Sequence, residues 1–150
     1  MNIVIADDSY EAAWQEFVSD SETASPYHQW GWLKSVKSAY GFNVYPLMAF
    51  DDEHKVVGVL PLANIKRPMA NGKMSSLPYC DIGGAVSEEK KIEKALVEFA
   101  INLANEKNIS RLEYRINAQE EDNQNVEAFD KVRMILPLPE SSELLMKGFK

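Results

Sequence analysis

Cysteine occurs once and histidine twice in the 150 residues, and this scarcity removes several chemistries at once. A single thiol forms no internal disulfide, so the fold must rest on a packed core, and a reducing compartment is the default expectation. His28 and His54 are far apart in sequence and, together with Cys80, show no zinc-ligand spacing. No run approaches the roughly 18 apolar residues that a membrane-spanning helix needs. The opening stretch MNIVIADDSYEAAW carries no basic region and soon meets two aspartates, which is not the pattern of a secretory leader. Positive charge is outnumbered, 16 Lys and Arg against 23 Asp and Glu, and the formal net charge of -7 opposes non-specific attraction to nucleic acid or to an anionic membrane surface. A cytoplasmic protein that binds no nucleic acid and has no membrane span is the expectation. Neither of the common phosphate-binding glycine patterns, Gly-x-x-x-x-Gly-Lys-Ser/Thr or Gly-x-Gly-x-x-Gly, occurs.

What is present is patterned apolar sequence, 45% of the chain, in a length suited to one domain with its own core. NIVIA at residues 2–6 predicts a strand, and DDS behind it offers helix caps. Tyr10, Ala13, Trp14, Phe17 and Val18 recur at helical spacing. Pro26 interrupts, after which YHQWGWLKSVKSAYG predicts a second helix ending at Gly41, with Trp32, Leu33, Val36 and Tyr40 as its buried stripe. NVYPLMAFDD, KVVGVLPLANIKR and GKMSSLPYC then read as a three-strand antiparallel meander, broken at DDEHK and RPMANGK. Pro46, Pro61 and Pro78 each lack an N–H, so the strands are expected to be edges, kinked or irregular there. Ser87 offers the cap of a third helix whose apolar face is Ile92, Leu96, Phe99, Ala100 and Leu103. SRLEYRI and KVRMILPL predict two further strands across a polar connection, and a last helix begins near residue 140. This order gives an α/β fold with a mixed, largely antiparallel central sheet flanked by helices.

Few residues offer chemistry. Cys80 has Asp81 beside it and no adjacent base, so a structural thiol is favoured over a nucleophile. His28 lies among Tyr27, Trp30 and Trp32, either at a helix start whose aromatics enter the core, which is favoured, or in an aromatic-walled groove with His28 or Lys34 as its polar group. Gly83 and Gly84 read as a strand-to-helix turn, since Asp81, Glu88 and Glu89 disfavour a second anion there. Lys66, Arg67 and Lys73 read as a solvated hairpin tip.

Three stretches, YHQWGWLKSVKSAYG, VVGVLPLANIK and SLPYCDIGG, in this order and spacing, resemble the first half of FemAB-like proteins, aminoacyl- or acyltransferases built from two GNAT-type domains. VRMILPLPESSELLMKGFK is similar to the entry into their long helix and second domain. The resemblance implies a GNAT-like domain over residues 1–150, with its last helix truncated. In GNAT domains the loop after the fourth strand holds the pyrophosphate of acyl-CoA on a Gln/Arg-x-x-Gly-x-Gly/Ala pattern. Gly83 and Ala85 match its small residues, while Cys80 stands where glutamine or arginine is expected. The implied domain therefore has no cofactor and no catalytic residue of its own. It lends part of an acceptor-substrate groove, with Lys34, or Lys37 in an alternative register, as a phosphate contact beside Trp32, His28, Tyr79 and Asp81. The implied partners are a small-molecule or cell-envelope precursor acceptor and a second GNAT-like domain. A stand-alone module that pairs with its own copy, and a single-domain CoA-dependent N-acyltransferase, are the alternatives.

Overall fold

The computed structural model describes residues 1–67, 70–115 and 139–148, without the side chains at 66, 67, 70 and 71. Residues Met1–Asn117 form one compact unit. Its elements are β1 (Asn2–Ile5), α1 (Glu11–Asp20), α2 (Trp30–Tyr40), β2 (Asn43–Phe50), β3 (Val56–Arg67), β4 (Ala70–Ser75), α3 (Lys90–Glu106) and β5 (Arg111–Glu113). The described part of the remainder, Ala118–Lys150, is α4 (Ser142–Gly148). The expected strand KVRMILPL and the polar connection before it lie outside the described residues, as does Ile116.

The sheet runs β1-β2-β3-β4-β5, antiparallel except for the last pair, β4 and β5, which are parallel. Period-two alternation gives it two buried faces. Leu47, Ala49, Leu60, Leu62 and Met74 meet Ile92, Leu96, Ala100 and Leu103 of α3. Met48 and Val59 point the other way, onto Trp14, Val18, Trp30 and Leu33 of α1 and α2. Helix α2 ends as its sequence predicts, on Gly41 in the left-handed region at φ 64°. Its buried stripe is rotated from expectation: Trp30, Leu33 and Val36 are buried, whereas Trp32 and Tyr40 are 36% and 54% exposed. Trp30 sets this phase by packing edge-on against Trp14, with ring centroids 5.5 Å apart.

Pro46 and Pro61 sit on the central strands β2 and β3, not on edges, and they face each other across the ladder. Two opposed prolines have no N–H to exchange, so they fit only a position where the two residues do not bond each other. Their missing donors then point outward. On the far side of β3, Val59 exchanges both backbone hydrogen bonds with Val86, at 3.0 and 2.9 Å, so two residues on, Pro61 faces the same side. That is where β4 has already ended, at Ser75. On the far side of β2, Pro46 still accepts from Ala6 N–H at 2.7 Å, just past the end of β1.

The expected third strand through Cys80 is thus cut short at Ser75, and Leu77 and Tyr79 take positive φ values of 61° and 65°, which no strand accommodates. RPMANGK is a tighter break than expected, because β3 runs to Arg67 and β4 resumes at Ala70. Lys73 is not at a solvated tip: it pairs with Glu113 of β5 and is largely buried. Ser87 does not cap α3. Its hydroxyl donates to the Val57 carbonyl at 2.7 Å and accepts from Glu89 N–H, and the helix starts at Lys90.

His28 ties the α1–α2 connection to the segment after β4. Its Nδ1 accepts from Ser25 N–H at 3.0 Å, so the proton is on Nε2, which donates to the Gly84 carbonyl at 3.0 Å. The Trp14 indole donates to the carbonyl of His28 at 2.7 Å. Burial holds the imidazole below its ordinary pKa, against the opposing effect of the bond to the Gly84 carbonyl. The unfolded chain therefore binds the proton more readily than the folded one. The associated stability is complete above pH 6.5 and is lost as the pH falls toward the lower folded value.

Thermal unfolding followed from pH 7.5 to 5 should show this decline, and His28→Gln, which keeps an acceptor and a donor, should flatten it. An equal slope in both proteins would remove His28 as its source. Leu96, fully buried between α3 and the sheet, should cost about 2–5 kcal/mol as Leu96→Ala, read from the urea midpoint.

Candidate functional site

The chain between β4 and α3 is the most constrained irregular segment described. Ser76 prolongs the parallel pairing by one bond, its N–H donating to the Glu113 carbonyl at 2.9 Å. Its hydroxyl then replaces a backbone acceptor and receives Arg115 N–H at 2.8 Å. Gly83 N–H donates to the Arg115 carbonyl at 3.2 Å, Ala85 N–H to the Tyr114 hydroxyl at 3.0 Å, and Val86 N–H to Val59. Gly83 has a steric role: a Cβ there would lie 2.5 Å from the Ser76 carbonyl oxygen, so the two limbs of the loop touch only because it has none. Glu88 and Glu89 stand before the first turn of α3, and Glu89 pairs with Lys91 at 2.7 Å.

Beneath this loop lies a set of charges. Glu113 bridges Lys73 of β4 and Arg115, whose Nε donates to it at 2.8 Å. The Arg115 guanidinium also donates through Nη1 to the Cys80 carbonyl. Burial works against the Glu113 carboxylate, yet the hydrogen bonds from Lys73 and Arg115 hold it below the ordinary glutamate value. Cys80 is 1% exposed and its thiol donates to the Pro78 carbonyl at 3.6 Å. Burial pushes that thiol up, against a hydrogen bond from Trp32 and the charge of Arg115.

The candidate residues fall into two groups and an interior member. Trp32, Tyr79 and Asp81 belong with the loop. Trp32 contacts Cys80 and lies edge-on to Tyr27 at 5.1 Å; Tyr79, 64% exposed, lies 4.9 Å from Tyr40, which stacks on Phe42 at 5.4 Å. Asp81 is exposed beside them. The result is two aromatic clusters on and beside α2, Tyr27 with Trp32 and Tyr79 with Tyr40 and Phe42. Lys34 and Lys37 lie elsewhere. Positions 32 and 34 are separated by roughly 200° around a helix, so Trp32 and Lys34 emerge on opposite sides of the buried stripe. Lys34 pairs with Glu11 at 2.7 Å, and this hydrogen bond raises its pKa. Both lysines border a depression of about 570 Å³ lined also by Asp7, Asp8, Val44 and Pro46. His28 is 1% exposed, below both groups, with both ring nitrogens engaged.

Tyr27, Tyr40, Glu113 and Arg115 were absent from the sequence-derived set. Glu113 and Arg115 are two apart and so share one face of a strand, a signal present in LEYR. Their meeting with Lys73 required the parallel register Ser75↔Glu113, which local pattern does not contain.

No protein-family model matches the sequence, and no curated protein does. Solved structures do match. A ribosomal-protein-alanine N-acetyltransferase from Brucella melitensis biovar Abortus 2308 superposes with a TM-score of 0.58 at 15% identity, over 92% of this chain and 100% of that one. An aminoglycoside 6'-N-acetyltransferase from Acinetobacter haemolyticus gives 0.51 at 14% identity, over 94% and 99%. A protein described as a transcriptional regulator, from Bacillus halodurans C-125, gives 0.58 at 14%, over 90% and 99%. At such identities the likeness is one of fold: this chain has the mixed α/β, mostly antiparallel architecture of the GNAT acetyltransferases.

Proposed function

We propose that this chain is the N-terminal GNAT-type domain of a FemAB-related N-acyl- or aminoacyltransferase, and that it supplies acceptor-binding surface while the acyl donor is held elsewhere. One observation carries the reading. At the position where a GNAT domain holds the donor's pyrophosphate on free loop N–H groups, the N–H groups of Gly83, Ala85, Val86 and Glu89 already donate to partners within the chain. With Glu88 and Glu89 also there, the residues present do not fit a CoA diphosphate. The acceptor would lie along the aromatic surface of Trp32, Tyr79 and Tyr40, with Asp81 at its edge, because flat rings give contact area at low entropic cost. A phosphate on the acceptor would find Lys37 more readily than Lys34, whose ammonium is engaged by Glu11.

The rival, a single-domain CoA-dependent N-acyltransferase, draws support from neighbours of acetyltransferase description that are matched over 99–100% of their length. Millimolar CoA separates the two. A ligand at 100 times its Kd stabilises a protein by about 2.7 kcal/mol, a readily visible thermal shift. The expected result is no shift with CoA or acetyl-CoA, and no transfer to a panel of amines. A dose-dependent shift with turnover would establish the rival.

A further inference from the structure

The segment after β4 contains two non-glycine residues in the left-handed region, separated by one proline: Leu77 at φ 61° and Tyr79 at φ 65°. Such conformations cost on the order of 1 kcal/mol or more each for bulky residues and persist only where surrounding contacts enforce them. Here the geometry has an outcome. Leu77 is driven into the core at 0% exposure, Cys80 is turned inward, and Tyr79 between them is turned out against Tyr40.

Several of the contacts that hold the segment come from one residue, Arg115, through its side chain and its main chain together. Arg115 uses its planar fork in two directions, Nε and Nη2 to Glu113 and Nη1 to the Cys80 carbonyl, while its backbone N–H and carbonyl take Ser76 Oγ and Gly83 N–H. Glu113 is fixed in turn by Lys73. The Arg115 side chain is 19% exposed and those of Lys73 and Glu113 are 20% and 28%, so the network is sheltered enough to matter energetically. A lysine at 115 would not substitute, because a point-like ammonium lacks the fork that reaches both partners.

We propose that Ser76–Gly84 is a lid over the β4–β5 junction, latched by Arg115 with Glu113 and Lys73, and that Arg115 is the positioning residue of the aromatic surface. Release of the latch lets Leu77 and Tyr79 leave the left-handed region, bares Cys80 and separates Tyr79 from Tyr40. The latch follows from the contacts alone; its consequence for an acceptor rests on the function proposed above.

Two reporters are built in. Cys80 is the single cysteine in the chain and is buried, so its reaction with dithiobis(nitrobenzoate) reads opening of the lid. Trp14 and Trp30 are 0% and 3% exposed, so acrylamide-quenchable emission reads Trp32 at the aromatic surface. Arg115→Met should label about ten-fold faster than the parent or more, with Arg115→Lys close to it, and Glu113→Gln should fall between. Each should show raised Trp32 quenching with an unchanged far-ultraviolet dichroism spectrum. Labelling unchanged in a folded Arg115→Met or Glu113→Gln would overturn the latch. So would an acceleration no larger than the loss of global stability, measured by urea, accounts for, since Arg115 would then support only the fold.

Discussion

Pro61 withholds one backbone donor from the side of β3 that faces β4, and much of the molecule's particular character follows from that omission. Buried backbone groups must be paired, so a strand runs beside its neighbour only while donors and acceptors alternate in register. Beyond Ala63↔Ser75 the next group on that side of β3 belongs to a proline, and β4 leaves. The chain returns at Val86, where Val59 again offers both groups. The residues between, 77–85, leave β3 where its next N–H is missing, while Ser76 keeps one bond to Glu113 of β5. The opposed Pro46 does the same at β1 without weakening the β2–β3 pairing, since neither proline is asked to donate across it.

A released segment on the edge of a core must satisfy its polar groups anew, and this one is held from both layers. From the helical side, His28 donates to Gly84; from the strand side, Arg115 takes Ser76, Cys80 and Gly83. The two anchors differ in kind. His28 is a neutral donor kept uncharged by burial, so its contribution weakens with acidification below its ordinary range. Glu113, which orients Arg115, has its pKa lowered, so the charged anchor persists below the usual glutamate range and is lost only as the pH falls through that lower value. Mild acid therefore acts first at His28, where a proton on Nδ1 displaces the bond from Ser25 N–H while Nε2 still donates to Gly84.

Sequence pattern disclosed the architecture because its elements are locally periodic. The α1, α2 and α3 stripes, the meander of β2 to β4, and the stop at Gly41 are all written within a few residues of where they act. What it could not disclose was phase and register. Whether Trp30 or Trp32 enters the core depends on Trp14, which lies in another helix. In sequence the prolines mark an edge, a kink or an irregularity, which Pro78 bears out beyond the end of β4, whereas Pro46 and Pro61 share one site in the middle of the sheet, a fact about two strands rather than one. The candidate set was limited in the same way. Lys34 and Trp32 are neighbours in sequence but diverge around the helix, whereas Tyr79 and Tyr40 are distant in sequence and their rings meet. Lys73, Glu113 and Arg115 converge only through the parallel register of β4 with β5.

The internal pairing of the loop also bears on the proposal that the acyl donor is held elsewhere. A loop built to cradle a diphosphate must leave several N–H groups aimed outward, where water satisfies them until a ligand does, and its order is then coupled to ligand binding. In this chain Arg115, Tyr114, Val59 and Ser87 accept from four of the segment's donors, the N–H groups of Gly83, Ala85, Val86 and Glu89, and Gly83 lets the two limbs close on each other. These bonds within the chain hold the loop in place and separate an inner wall from an outer face. The outer face is aromatic. What the segment presents outward is Tyr79 beside Tyr40, and the exposed Asp81. Such a surface agrees with the acceptor-binding role proposed above.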